Sequence, residues 1–155
     1  MRSLNVLEEK NCQFVSNAGI PYVLTCLTEN ILKHSIFDAR TEMRSFLKNM
    51  GIHDFSAQEK GQEHKVMIKT FILTFKRKIE SKTSLYRSGT RGDERMWYGA
   101  SVLPVTDPND IYVVTGKDGD LYIVNITKMD LETCFQSSFP NPIKDWLNDC
   151  ISQNR

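Results

Sequence analysis

The chain has 155 residues, of which 40% are hydrophobic and 25% charged, and its net charge is +1. That length and composition belong to one folded domain and exclude a disordered tail, a collagen-like repeat or two full-sized domains. The longest apolar run, 66–75, is interrupted by Lys69 and two threonines, so it falls short of the roughly 18–20 residues of a membrane-spanning helix and no membrane partner is expected.

The opening MRSLNVLEEKN carries charges where a secretion signal places its apolar segment, so a cytoplasmic protein is expected. Residues 21–27 are rich in β-branched and aromatic side chains and read as a strand. From Asp38 the period changes. Ala39, Met43, Phe46, Leu47 and Met50 recur at helical spacing, with Asp38 as the expected N-cap and Gly51 where a left-handed residue ends a helix. Residues 52–61 are polar and read as a loop. Residues 66–75 predict a strand apolar enough to be covered on both faces. The basic triplet Lys76-Arg77-Lys78 follows, and residues 79–86 are the expected hairpin partner.

SGTRGD at 88–93 holds two glycines among polar turn formers, so the chain should bend there and emerge as a short strand at Met96, Trp97 and Tyr98. Residues 110–115 and 121–126 flank Asp118-Gly119, the clearest hairpin signal in the chain. Asn141-Pro142 is an N-cap followed by proline at the first helical position, and Ile143, Trp146, Leu147, Cys150 and Ile151 repeat the helical spacing behind it. The expected fold class is mainly β. Five to seven strands form a mostly antiparallel sheet closed into a barrel, with one internal and one C-terminal helix plugging its ends.

Cys12, Cys26, Cys134 and Cys150 are scattered without a CxxC pair and read as reduced thiols, not zinc ligands. His34, His53 and His64 lack the spacing of a helical metal site. There is no phosphate-cradling GxxxxGKS/T or GxGxxG motif and no GxSxG elbow. No cofactor and no metal are expected. One enzymatic pattern stands out: Asp54, Glu63 and Lys65 follow the Asp…(Asp/Glu)-x-Lys order of Mg²⁺-dependent nucleases, in which two carboxylates hold the metal and the lysine helps activate water.

The net charge hides a division. Residues 60–95 carry ten Lys and Arg against four Asp and Glu, whereas 96–155 carry four against eight. A basic run of this kind is either a solvated face or a surface that replaces counterions on nucleic-acid phosphates. Residues 84–99 hold its most informative part. Arg87, Arg91 and Arg95 alternate with hydroxyls, glycines and aromatics around a turn. Arginine presents a planar fork that fits the O6/N7 edge of guanine, Glu94 can accept from a cytosine amine, and hydroxyls such as Ser88 and Thr90 suit phosphates.

This segment resembles the C-terminal recognition arm of the DNA-binding pseudobarrel at the N-terminus of EcoRII-type restriction endonucleases, a relative of the plant B3 transcription-factor domain. The resemblance continues in order. Residues 25–34 correspond to the other arm, 39–52 to the helix after it, 66–74 to a core strand and 86–99 to the arginine arm. It departs at Asn30-Ile-Leu-Lys-His34, where the family's first arm carries a Gly-rich stretch with aspartate.

The resemblance implies an open β-barrel without a catalytic centre of its own. It would read double-stranded DNA in the major groove and serve as the effector or specificity domain of a restriction endonuclease. A nuclease domain would lie in the same or another chain. Residues 1–155 are then one DNA-binding domain. Base contacts are expected from Arg87, Arg91, Glu94 and Arg95 on one arm and from Thr28, Asn30, Lys33 and His34 on the other. Phosphate contacts are expected from Lys76, Lys78, Lys82, Ser88 and Thr90. Trp97 is expected to anchor the arm in the core. If the likeness extends to the recognised sequence, the target is of the CC(A/T)GG kind.

Overall fold

In the computed structural model, which describes residues 1–153, seven strands form one sheet. They are β1 (Val23–Leu27), β2 (Phe37–Asp38), β3 (Val66–Leu73), β4 (Lys78–Arg87), β5 (Glu94–Trp97), β6 (Asp110–Lys117) and β7 (Asp120–Asn125). Their order across the sheet is β1-β6-β7-β3-β4-β5-β2. Every pairing is antiparallel except that of β3 with β7. The helices are α1 (Val6–Asn17), α2 (Glu29–His34), α3 (Thr41–Asn49), α4 (Leu131–Gln136) and α5 (Pro142–Gln153).

The sheet curls into a half-barrel, and its connectivity shows why. The edge strands β1 and β2 lie six strand spacings apart, about 29 Å if the sheet were flat. Only residues 28–36 join them, and six of these form α2, a reach of about 20–25 Å. Flat geometry is therefore excluded. The inner core confirms the curl, because Leu27, Phe37, Ile72, Leu85, Met96, Tyr112 and Leu121 bring every strand into one cluster. Across the open seam the Tyr98 hydroxyl lies 2.6 Å from Thr25 Oγ1 on β1, and the Tyr98 ring packs at 5.2 Å on Phe37 of β2. β1 and β2 do not pair with each other, so the sheet is not a closed barrel but a mainly β open one, as the open-barrel expectation has it.

A second core lies on the outer side of β6 and β7. Alternation sends Tyr112, Val114 and Ile123 inward, and Ile111, Val113 and Val124 outward beneath Val15 of α1, Leu131 of α4 and Trp146 and Leu147 of α5. No β4 or β5 residue belongs to this outer cluster.

Several expectations hold. β3 and β4 form the hairpin around 74–77, and β6 and β7 turn at Asp118 and Gly119, both with positive φ (55° and 84°) as this turn requires. Asn141 Oδ1 accepts the Lys144 N–H, so α5 is capped as expected. Gly51, φ 70°, ends α3.

Other expectations are corrected. There are five α-helices among the described residues, not two. α1 escapes a periodicity search because its buried positions include Glu8 and Asn11 beside Cys12 and Val15. Its legible signal is the capping box Asn5-x-x-Glu8. Asp38 is not an N-cap but the end of β2, paired with Arg95, and α3 begins at Thr41. β3 is covered on both faces only near its end: Met67 and Lys69 are exposed, whereas Ile72 and Leu73 are buried. Within the loop at 52–61, a 3₁₀ turn at Phe55–Ala57 buries Phe55.

Candidate nucleic-acid interface

The outer side of β4 and of the first half of β3 contributes no residue to the helix-covered outer core, which Phe71 and Leu73 reach at the end of β3, and the register decides which side chains occupy it. Lys69 stands directly opposite Lys82, Phe71 opposite Glu80, and Leu73 opposite Lys78. Two like charges facing each other across an antiparallel pair are destabilising. Aromatic faces take up part of that cost. Lys78 Nζ lies 4.2 Å from the centre of the Phe71 ring and 5.6 Å from that of Tyr122, and Lys69 Nζ lies 6.0 Å from Phe71. Lys65 Nζ sits 5.3 Å from the Tyr86 ring. These contacts draw on the ring quadrupole and leave the ammonium hydrated. Among the described residues, no carboxylate lies within 4 Å of Lys65, Lys69, Lys76, Arg77, Lys78 or Lys82.

The β4–β5 loop is tightly built. Ser88 N–H donates to Asp93 O (2.8 Å), Asp93 N–H to Ser88 Oγ (3.0 Å) and Gly92 N–H to Ser88 O (3.0 Å). Gly92 has φ 76°, which favours glycine, and a Cβ there would come within 2.7 Å of Arg87 Nη2 and displace that side chain. Arg87 donates through Nε to Gly92 O (3.1 Å) and through Nη1 to Gln58 O (3.0 Å). The Gln58 amide in turn donates to Leu85 O and His64 O. Arg87 is thus a strut under the loop, and its Ser88 neighbour is spent on closing the turn.

The other expected base readers on this arm differ in freedom. Arg95 Nε lies 3.0 Å from Asp38 Oδ1, and Arg95 Nη2 lies 3.5 Å from Asp93. Glu94 faces Arg44 at 3.6 Å. Arg91 is exposed at the tip with Thr90, and no described residue holds its guanidinium. Trp97 is half-buried against the inner core, in keeping with an anchor.

The first arm is a helix. Thr28 is its N-cap, with Oγ1 accepting the Ile31 N–H (3.2 Å), while Ile31 and Leu32 pack against the inner core. Asn30, Lys33 and His34 are exposed, and His34 Nδ1 lies 2.9 Å from Asn30 O. Ser35 ends the helix in the left-handed region, φ 55°. β2 and β5 run antiparallel with Phe37 opposite Met96. α2 therefore enters at the Trp97 end of β5, and the 88–93 loop leaves from its Glu94 end. The two arms are set apart along the strand by about 10 Å, and no described hydrogen bond or ion pair joins them.

Asp54, Glu63 and Lys65 are occupied separately. The Asp54 carboxylate accepts from Ser56 N–H (3.0 Å) and Oγ (2.6 Å), bonds that lower its pKa, and lies 3.9 Å from Lys48. Glu63 is exposed beside His64, and Lys65 covers Tyr86. Among the described residues, no group of three His, Cys, Asp or Glu side chains is placed to hold a metal ion.

No family model, curated protein or solved structure matches the chain.

Lys65 and Lys69 join the expected Lys78 and Lys82 on this face. The alternation Lys65-x-Met67-x-Lys69-x-Phe71 carries that information, but it becomes a surface only when the pairing with β4 is known.

Proposed function

We propose that this chain binds double-stranded DNA and serves as the specificity or effector domain of a restriction endonuclease, with a nuclease domain in the same or another chain. The observation that carries this reading is the exposed, lysine-bearing outer face of β4 and the first half of β3. Lys69 and Lys82 stand opposite one another there with no carboxylate within 4 Å, an arrangement that costs stability and gains from phosphates. Lys65, Lys69, Lys76, Lys78 and Lys82 hold the backbone. Arg91 reaches a base edge from the β4–β5 loop, and Arg95 and Glu94 join it by exchanging Asp38 and Arg44 for base partners. Arg87 is a positioning residue that holds the loop. Asn30, Lys33 and His34 on α2 meet the duplex from the other arm, and Thr28 keeps that helix capped. Thr90 stands at the loop tip to meet a phosphate. The resemblance to the EcoRII-type pseudobarrel and the B3 domain supports the same reading, with a G·C-rich target of the CC(A/T)GG kind.

Fluorescence anisotropy on labelled duplexes tests this. Log affinity is expected to fall linearly with log salt, with a slope of about −0.9 per phosphate engaged and about −4 to −5 if the whole row of lysines takes part. Arg91→Ala is expected to relax preference at one base pair, about 1–3 kcal/mol, on randomised duplexes. A slope near zero overturns the nucleic-acid reading. Cleavage of the duplex in Mg²⁺ that is abolished by Asp54→Ala with Glu63→Ala overturns the assignment as a module without its own catalysis.

A further inference from the structure

We propose that the cavity beneath the β3–β4 turn binds a small organic anion, an apolar body bearing one carboxylate, phosphate or sulfonate head. The cavity measures about 450 Å³, within the range of small-molecule sites. Its apolar lining includes Ile72, Leu73, Ile79, Val105 and Tyr112. Ile72 and Tyr112 are fully buried core residues, so this part of the lining is held by the core.

The polar groups of the far wall are already committed. Thr106 Oγ1 donates to Val102 O and lies 2.6 Å from the Tyr112 hydroxyl. The Asn125 amide donates to Val105 O (3.1 Å) and Asp110 Oδ2 (2.8 Å). Lys128 is held by Asp107 and, at 3.5 Å, by Asp110. None of these groups is left for a neutral polar ligand, and the interior selects an apolar body.

The mouth is different. Lys76 and Arg77 line it from the turn, and neither has a carboxylate within 4 Å among the described residues. The Thr74 hydroxyl fixes that turn by accepting both the Lys76 N–H (3.2 Å) and the Arg77 N–H (2.9 Å). Phe75 beside them is 40% exposed, an apolar lip next to two cations. Asp107 also lines the cavity and pairs with Lys128, so an anionic head is directed to the unpaired cations of the turn. An apolar slot with unpaired cations at one end recognises an amphipathic anion by charge and shape together.

The test uses 1-anilinonaphthalene-8-sulfonate and its uncharged counterpart N-phenyl-1-naphthylamine, titrated by fluorescence into the folded chain. The sulfonate is expected to saturate at one site per chain and to bind at least tenfold tighter than the neutral probe. It is also expected to raise the melting temperature, as a ligand of the native state does and a ligand of loosened chains does not. Lys76→Ala with Arg77→Ala should reduce the sulfonate to the affinity of the neutral probe, and Val105→Trp should block both. Amide shifts in the unaltered chain provide a second readout, with changes expected at 74–77 and 104–107. Equal affinity for the two probes, a lowered melting temperature, no saturable binding or shifts centred on another face would each overturn the proposal.

Discussion

One sheet presents two outer surfaces built on opposite terms. Over β6 and β7, three helices cover Ile111, Val113 and Val124, and three cations in this half have acids beside them: Lys10 with Asp130 at 2.8 Å, Lys117 with Asp149 at 3.3 Å, Arg2 with Glu8. Over β4 and the first half of β3 no residue of that core lies, and Lys69, Lys78 and Lys82 have no carboxylate within 4 Å among the described residues. The first surface is arranged for burial, which is the dominant source of folding free energy. The second carries charge that the fold does not need. Stability and binding should therefore separate cleanly between the two.

The largest effect is expected on the covered side. Trp146 is 3% exposed, and Trp146→Ala should cost about 3–5 kcal/mol, measured by urea unfolding. A loss below about 1 kcal/mol would mean that α5 contributes little to the core.

Glu8 sharpens the comparison through pH. It is fully buried, and its carboxylate accepts from Arg2, the Asn5 N–H and Thr127 Oγ1. Those bonds, led by Arg2, hold its pKa at about 2, against 4.5 for the unperturbed group. The folded state thus favours the ionised form. Its contribution is complete above about pH 4.5 and is lost as pH falls toward 2. Glu8→Gln should cost about 2–3 kcal/mol at neutral pH and remove most of the pH dependence of stability in that window. An unchanged acid limb in the variant would show that other carboxylates govern it.

A smaller effect is expected at the loop strut. Arg87→Ala leaves Gly92 O and Gln58 O without their donor and should cost about 1–3 kcal/mol. Arg91→Ala, at the exposed tip, should leave the melting curve within about 0.5 kcal/mol of the parent. Equal destabilisation by both would erase the distinction between strut and reader.

The smallest stability change is expected on the bare face. Lys69→Ala and Lys82→Ala should each stay within about 0.5 kcal/mol, or stabilise slightly by relieving the opposed charges. In the DNA assay each should flatten the salt slope by about one unit. A marked destabilisation by either would make that face structural.

Local signals in the sequence determined a good part of this protein. The Asp118-Gly119 turn, the Asn141-Pro142 cap and the basic triplet at 76–78 each depend on chemistry within a few residues, and each sits where that chemistry places it. α1 was also legible through Asn5 and Glu8, but its buried Glu8 and Asn11 find partners more than 100 positions away, at Thr127 and at Ile126 and Met129. An apolar period therefore could not mark it. Asp38 suited an N-cap, yet tertiary pairing gave it to β2, where Arg95 meets it. The arginines of the 84–99 segment were indistinguishable as a string. Only the folded loop separates Arg87, tied to two carbonyls, from Arg91, tied to none. The row of lysines was likewise invisible until β3 and β4 paired, because the β-strand period of two sets which side a residue takes and the register alone sets which residue it faces.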